Sequence, residues 1–162
     1  MKSGGFAEVL RVLARNDVEF VVVGMTAGVL QGAPVSTVDL DIVHHRSPEN
    51  VARLLAALRE LDAVYRHDAR RLRPQESHLG SPGHQLLTTI HGDLDCLGTI
   101  DDGKGYDELA QRTVALRIGD DAVVQVLDLP TLIEVKQRSG RAKDLAVIPV
   151  LLATLDEARR RS

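Results

Sequence analysis

Phe20-Val21-Val22-Val23-Gly24-Met25-Thr26-Ala27 and, further on, Thr37-Val38-Asp39-Leu40-Asp41-Ile42-Val43 are the two stretches whose reading decides the fold. The first is a β-branched apolar run closed by glycine, the pattern of a buried strand. Thr26 to Gln31 then suits a short helix ending at Gly32, and Pro34 opens an irregular link. The second stretch predicts another buried strand over 38–43, with both carboxylates inside it. Residues at i and i+2 of a strand project to the same face, with backbones roughly 6–7 Å apart, close enough to share a hard cation. An Asp-x-Asp spacing alone is weak, because a chain this rich in aspartate produces roughly one or two by chance. Here the flanking Val38, Leu40, Ile42 and Val43 mark a buried strand, where an unpaired ionised carboxylate costs several kcal/mol. A structural use as strand-end caps or salt-bridge partners is the competing reading.

Outward from these strands, Phe6, Val9, Leu10, Val12 and Leu13 predict a helix over 5–16. Ser47-Pro48-Glu49 places a cap, a first-turn proline and an acid ahead of Val51, Leu54, Leu55, Leu58 and Leu61, a strong helix signature. Residues 66–84 turn polar, with Arg66, Arg70, Arg71 and Arg73 close together, and read as a loop or weakly ordered arm. Leu86–Ile90 and Leu94–Ile100 flank His91-Gly92-Asp93 as a hairpin, which makes Asp93 a turn former and places Asp95 deeper in the strand. A short helix over 106–111, strands over 114–118 and 122–127, a helix from Leu129 to near Gly140 and a last helix over 143–159, kinked or delayed at Pro149, complete the pattern. Helices and strands mix without strict βαβ alternation. The class is α+β with a mixed sheet flanked by helices, in one domain over 1–162 whose part from about 130 is helical.

The 162 residues carry 44% hydrophobic but only 2% aromatic residues and no Trp, so the core is aliphatic and offers no indole to stack a ligand. A formal charge of -3 argues against a surface built for non-specific binding to long nucleic acid. Cys96 is the single cysteine, so no internal disulfide forms, and no apolar run is long enough to cross a bilayer. The start Met1-Lys2-Ser3-Gly4-Gly5 leads into an amphipathic segment and not a signal sequence, and the expectation is a cytoplasmic protein without membrane contact.

Val23-Gly24-Met25-Thr26-Ala27, Gly32, Thr37-Val38-Asp39-Leu40-Asp41 and Gly92-Asp93-Leu94-Asp95-Cys96-Leu97-Gly98, in this order, resemble the signature of the polymerase-β-like nucleotidyltransferase superfamily. Leu132-Ile133-Glu134-Val135-Lys136 with Gly140-Arg141-Ala142-Lys143-Asp144 is similar to the closing helices of its AbiEii-like toxin branch. The resemblance implies a nucleotidyltransferase fold and transfer of a nucleoside monophosphate from a nucleoside triphosphate to an acceptor hydroxyl on tRNA or protein. It also implies Mg²⁺ or Mn²⁺ on Asp39, Asp41 and Asp95, and a cognate antitoxin as partner. Asp39 and Asp41 would hold the ion that bridges the triphosphate, while Asp95 would join a second ion and help to activate the acceptor hydroxyl. Lys136 would stabilise the leaving group, while Gly24, Met25, Thr26, Lys136, Arg141, Lys143 and Asp144 would surround the nucleotide. Gly24 ahead of a helix beginning near Thr26 would present backbone N–H groups to phosphate. Met25 stands where the family usually has a small residue and Val35 where a basic one is common. These departures keep open a nucleotide-binding or interaction module without transfer, and a phosphohydrolase with water as acceptor is a third reading.

Other candidates have bland alternatives. His44-His45 follows the aspartate strand as phosphate or metal contacts, or as ordinary strand-end histidines. The four arginines of 66–73 fit an RNA backbone or a solvated face. Cys96 reads as a buried, inert thiol.

Overall fold

A computed structural model describes residues 3–162; Met1 and Lys2, part of the polar start discussed above, lie outside the described residues. Helix α1 (Ser3–Arg15) leads to strand β1 (Phe20–Val23), which passes directly into the short helix α2 (Gly24–Leu30). Strand β2 (Leu40–His44) follows the irregular link, then helix α3 (Pro48–Glu60), in which Ser47 Oγ accepts from Asn50 N as the cap signature requires. The segment expected to be a loop over 66–84 is more ordered. Strand β3 (Val64–Tyr65) precedes it and a short helix α4 (Glu76–Leu79) lies within it, with Leu79 fully buried as an anchor. Strands β4 (His84–Thr89) and β5 (Gly92–Leu97) form the expected hairpin.

The chain continues through α5 (Tyr106–Leu109), a 3₁₀ turn (Ala110–Arg112), the hairpin of β6 (Thr113–Ile118) and β7 (Ala122–Leu127), and helices α6 (Leu129–Ser139) and α7 (Ala142–Arg161). Asp128 caps α6, and Gly140 ends it in the left-handed conformation that glycine adopts without a Cβ penalty. Helix α7 begins before Pro149 and runs through it. Proline deprives Leu145 of its carbonyl partner, but Leu145 and Pro149 are both exposed, so water can take that bond and the late start expected as one alternative does not occur.

All seven strands join one sheet in the order β3-β4-β5-β2-β1-β7-β6. The pairs β2–β5 and β1–β7 are parallel and the others antiparallel, which is the mixed sheet that the lack of strict alternation predicted. Strands β1 and β2 sit at its centre, and their Val21, Val22, Ile42 and Val43 are fully buried. No helix among the described residues is long and apolar enough to cross a membrane.

Candidate active site

Register, not sequence proximity, assembles the site. Strand β2 lies between β1 and β5, and the same pairing level sets Val23 and Asp95 on either side of Asp41. The Asp41 and Asp95 carboxyls lie side by side across the parallel pair and line the same cavity. Burial and then the neighbouring Asp95 push the Asp41 carboxyl up to about 7, with Asp39 adding to the repulsion and Lys136 opposing it. Asp41 Oδ1 is buried without a hydrogen-bond partner. An acceptor oxygen left in that state calls for a proton or a cation.

Gly24 makes the approach possible. Its φ is +67°, and a Cβ there would stand 2.6 Å from Asp41 Oδ2. The glycine that sequence suggested for phosphate contact is thus required first by the carboxylate beside it, at a left-handed position that glycine occupies freely.

Asp39 departs from expectation. Strand β2 begins at Leu40, so Asp39 is an exposed residue just ahead of it, next to an exposed Val38, and the predicted strand over 38–43 loses its first two residues. Thr26, expected to offer its hydroxyl to nucleotide, is buried and donates it to the Asp39 carbonyl at 2.5 Å. Thr26 therefore fixes the backbone that carries Asp39. Among the described residues, no group of three or more His, Cys, Asp or Glu side chains is placed to hold a metal ion unaided. The expected trio is a facing pair, Asp41 and Asp95, with Asp39 within electrostatic reach at the rim.

The opposite wall comes from α6 and α7. Asp144 is buried and accepts from Lys136 Nζ at 2.9 Å, Ser139 Oγ at 2.5 Å and Arg141 Nε at 2.9 Å. Burial raises its carboxyl, but these hydrogen bonds and the Lys136 charge overcome that and hold it at about 2. The Asp144 carboxylate thus stays charged and aims two cations at the cleft. Two adjoining cavities meet here, of about 690 and 470 Å³, and both are lined by Gly24, Asp41, Lys136, Arg141 and Asp144. The larger extends over Asp95, Leu86 and Leu97 towards Ile100; the smaller runs past Met25, Thr37, Asp39 and Lys143.

Over this architecture the chain matches a crystal structure from Thermotoga maritima described as a "putative nucleotidyltransferase". The likeness is one of fold. It covers 94% of this chain and 96% of that one, with a TM-score of 0.57 at 18% sequence identity. No protein-family profile matches the sequence, and no curated protein does.

The other sequence candidates lie apart from this cleft or serve it differently. Asp93 is not a turn residue: it pairs with Thr88 inside β5, the tight turn being made by Ile90 and His91, and its carboxylate lies 3.4 Å from Arg66. The arginine cluster is not an open basic face, since Arg66 reaches Asp95, Arg70 pairs with Asp68, and Arg71 and Arg73 pair with Asp62. Sequence reasoning missed Arg66 as a site residue because nothing in 64–66 announces a strand that lies beside β4. It also missed Ser139, whose role depends on the turn between α6 and α7. His44 is buried with Nε2 2.7 Å from the Leu79 carbonyl, and burial lowers its pKa; His45 stacks on Tyr106. Cys96 is fully buried and its thiol is pushed far up by burial, as an inert thiol should be.

Proposed function

We propose that this chain is a nucleotidyltransferase that uses a divalent cation to move a nucleoside monophosphate from a nucleoside triphosphate to an acceptor hydroxyl. The observation that carries the reading is the Asp41–Asp95 carboxyl pair, packed against Gly24 and facing the cations of α6 and α7. The residues suit the cation the fold implies. Two neighbouring carboxylates, one with a buried, unpartnered oxygen, make a hard oxygen donor set for Mg²⁺ or Mn²⁺. Asp41 and Asp95 would hold the ion, with Asp39 adding an oxygen from the rim. When bound, the ion supplies charge neutralisation for the triphosphate.

The chain's own groups do the positioning. The smaller cavity, with Lys136, Arg141 and Lys143 along it, fits the triphosphate, and the larger one leaves Asp95 accessible to an acceptor hydroxyl. The acceptor oxygen attacks the α-phosphorus in line, its proton passes to a carboxylate oxygen of Asp95, and pyrophosphate departs beside Lys136. Asp144 keeps Lys136 and Arg141 oriented in the meantime. Met25 and Val35 line the smaller cavity, so the nucleotide would lie against apolar side chains there.

Incubation with α-labelled nucleoside triphosphates, Mg²⁺ and total RNA or total protein tests this. Label transferred to RNA or protein, and lost in Asp41→Asn, supports the reading and identifies the acceptor. Release of free monophosphate points to hydrolysis, and binding without turnover to a module that has kept the fold alone. We extend the proposal to a toxin acting on tRNA or protein, with a neutralising partner, on the sequence resemblance. Growth arrest on expression that disappears in Asp41→Asn would support it.

A further inference from the structure

The carboxylates that face the cleft from its two walls, Asp144 on one side and Asp95 on the other, each have a protein cation of their own. Asp144 is paired with Lys136 and Arg141 on the α6–α7 wall. On the opposite side Arg66 serves Asp93 and Asp95. It leaves the end of β3, donates its backbone N–H to Leu86 O at 3.0 Å, and reaches across β4, where Nη1 donates to Leu87 O at 3.1 Å. From that hold Nη2 donates to Asp95 Oδ1 at 2.8 Å, and Nη1 lies 3.4 Å from Asp93 Oδ2. The Arg66 and Asp95 side chains are each only 17% exposed, so this pair is shielded from screening by solvent. Asp41, between them, has no such partner: Lys136 acts on it only at a distance, and its buried Oδ1 accepts no hydrogen bond.

We propose that Arg66 is a built-in cation that takes the outer side of the Asp93–Asp95 pair, so that in the absence of nucleotide the site draws one divalent ion from solution and not two. This rests on the reading of Asp41 and Asp95 as ion ligands. Asp93 and Asp95 stand at i and i+2 of β5 and share a face, a spacing that suits a second ion. The guanidinium already fills that position with a permanent charge and a planar fork of donors. Its bond to Leu87 O is to backbone, so the placement does not depend on the ion arriving. One consequence is directional. Asp95 Oδ1 is committed to Arg66, and the other oxygen is the one left for the Asp41 side of the cleft. Arg66 is therefore a positioning residue for Asp95.

Mn²⁺ binding to the full chain without nucleotide, followed by titration calorimetry and by the loss of the free-ion paramagnetic signal, tests the proposal. The wild type is expected to bind one ion per chain, and Asp41→Asn to lose it. Arg66→Gln keeps amide donors but removes the charge, and should either bind a second ion or bind the first at least about tenfold more tightly. Arg66→Lys keeps the charge and should keep the single-ion stoichiometry. Tighter metal binding combined with slower transfer in Arg66→Gln is a pairing that mere damage to the fold would not produce.

Two ions on the wild type, or an Arg66→Gln protein that binds one ion with wild-type affinity, overturns the role of Arg66 while leaving the Asp41 site in place. No ion on either protein overturns both readings. Should Arg66→Gln fail to fold, Arg66→Met takes its place in the same titration: a second ion or tighter binding upholds the proposal, and one ion at wild-type affinity refutes it.

Discussion

Asp41→Asn is the perturbation whose outcome the structure fixes most closely. A carboxyl raised to about 7 in the folded protein holds its proton more tightly than the same group in the unfolded chain, which titrates near 4. Its contribution to stability is therefore complete below about pH 4, declines as the pH rises towards 7, and is lost above it. Three units of difference amount to at most about 4 kcal/mol by pH 8, the cost of ionising Asp41 beside Asp95 in a half-buried cleft. Asparagine retains the shape and carries no charge to be desolvated, so it removes this cost. Thermal unfolding of both proteins from pH 4.5 to 8.5, in chelator, is the assay. The curves should nearly coincide at the acid end and separate steadily, with the variant melting higher by about 3–12 °C at pH 8 for a chain of this size. Mg²⁺ should then raise the wild type and leave the variant unmoved. An asparagine variant that is less stable than the wild type at pH 8, or a difference that stays constant with pH, would refute the reasoning.

Gly24→Ala introduces a Cβ 2.6 Å from Asp41 Oδ2 at a positive φ, and denaturant unfolding should show a loss of about 1–3 kcal/mol together with weakened Mn²⁺ binding. Asp144→Ala removes the anion between Lys136, Ser139 and Arg141; urea melts should show a loss of about 3 kcal/mol, and the KM for the triphosphate should rise as both cations lose their aim. Cys96 should stay unreactive towards an aromatic disulfide reagent at pH 8 and react in full once the chain is unfolded, as absorbance of the released thiolate would record.

The elements that sequence announced are those whose signals are local. Phe20–Val23 needed only its β-branched run, and α3 only Ser47, Pro48 and a helical apolar stripe. The β4–β5 hairpin was legible in outline, although its turn sits one step earlier than the glycine suggested, which returns Asp93 to the strand. What escaped depends on contacts between distant residues. The parallel pairing of β2 with β5 brings Asp41 to Asp95, and periodicity contains no trace of it. Strand β3 is two residues long and exists because β4 runs beside it, so Arg66 looked like one of four surface arginines. Asp39 was assigned to a strand on the strength of Val38, whose side chain proves exposed: apolar character next to a strand is not membership in it. Gly24 and Thr26 stood out in the sequence as nucleotide contacts, but what the packing gives them to do, making room for Asp41 and tethering the Asp39 carbonyl, has no local signal.

Diffraction at the manganese absorption edge from crystals soaked with Mn²⁺ and a non-hydrolysable nucleoside triphosphate examines the central claim at atomic level. An anomalous peak bonded to Asp41 and Asp95, with the phosphates alongside Lys136, is the predicted result. Manganese bound elsewhere, or phosphates lodged away from Gly24 with no ion on the two aspartates, would contradict it.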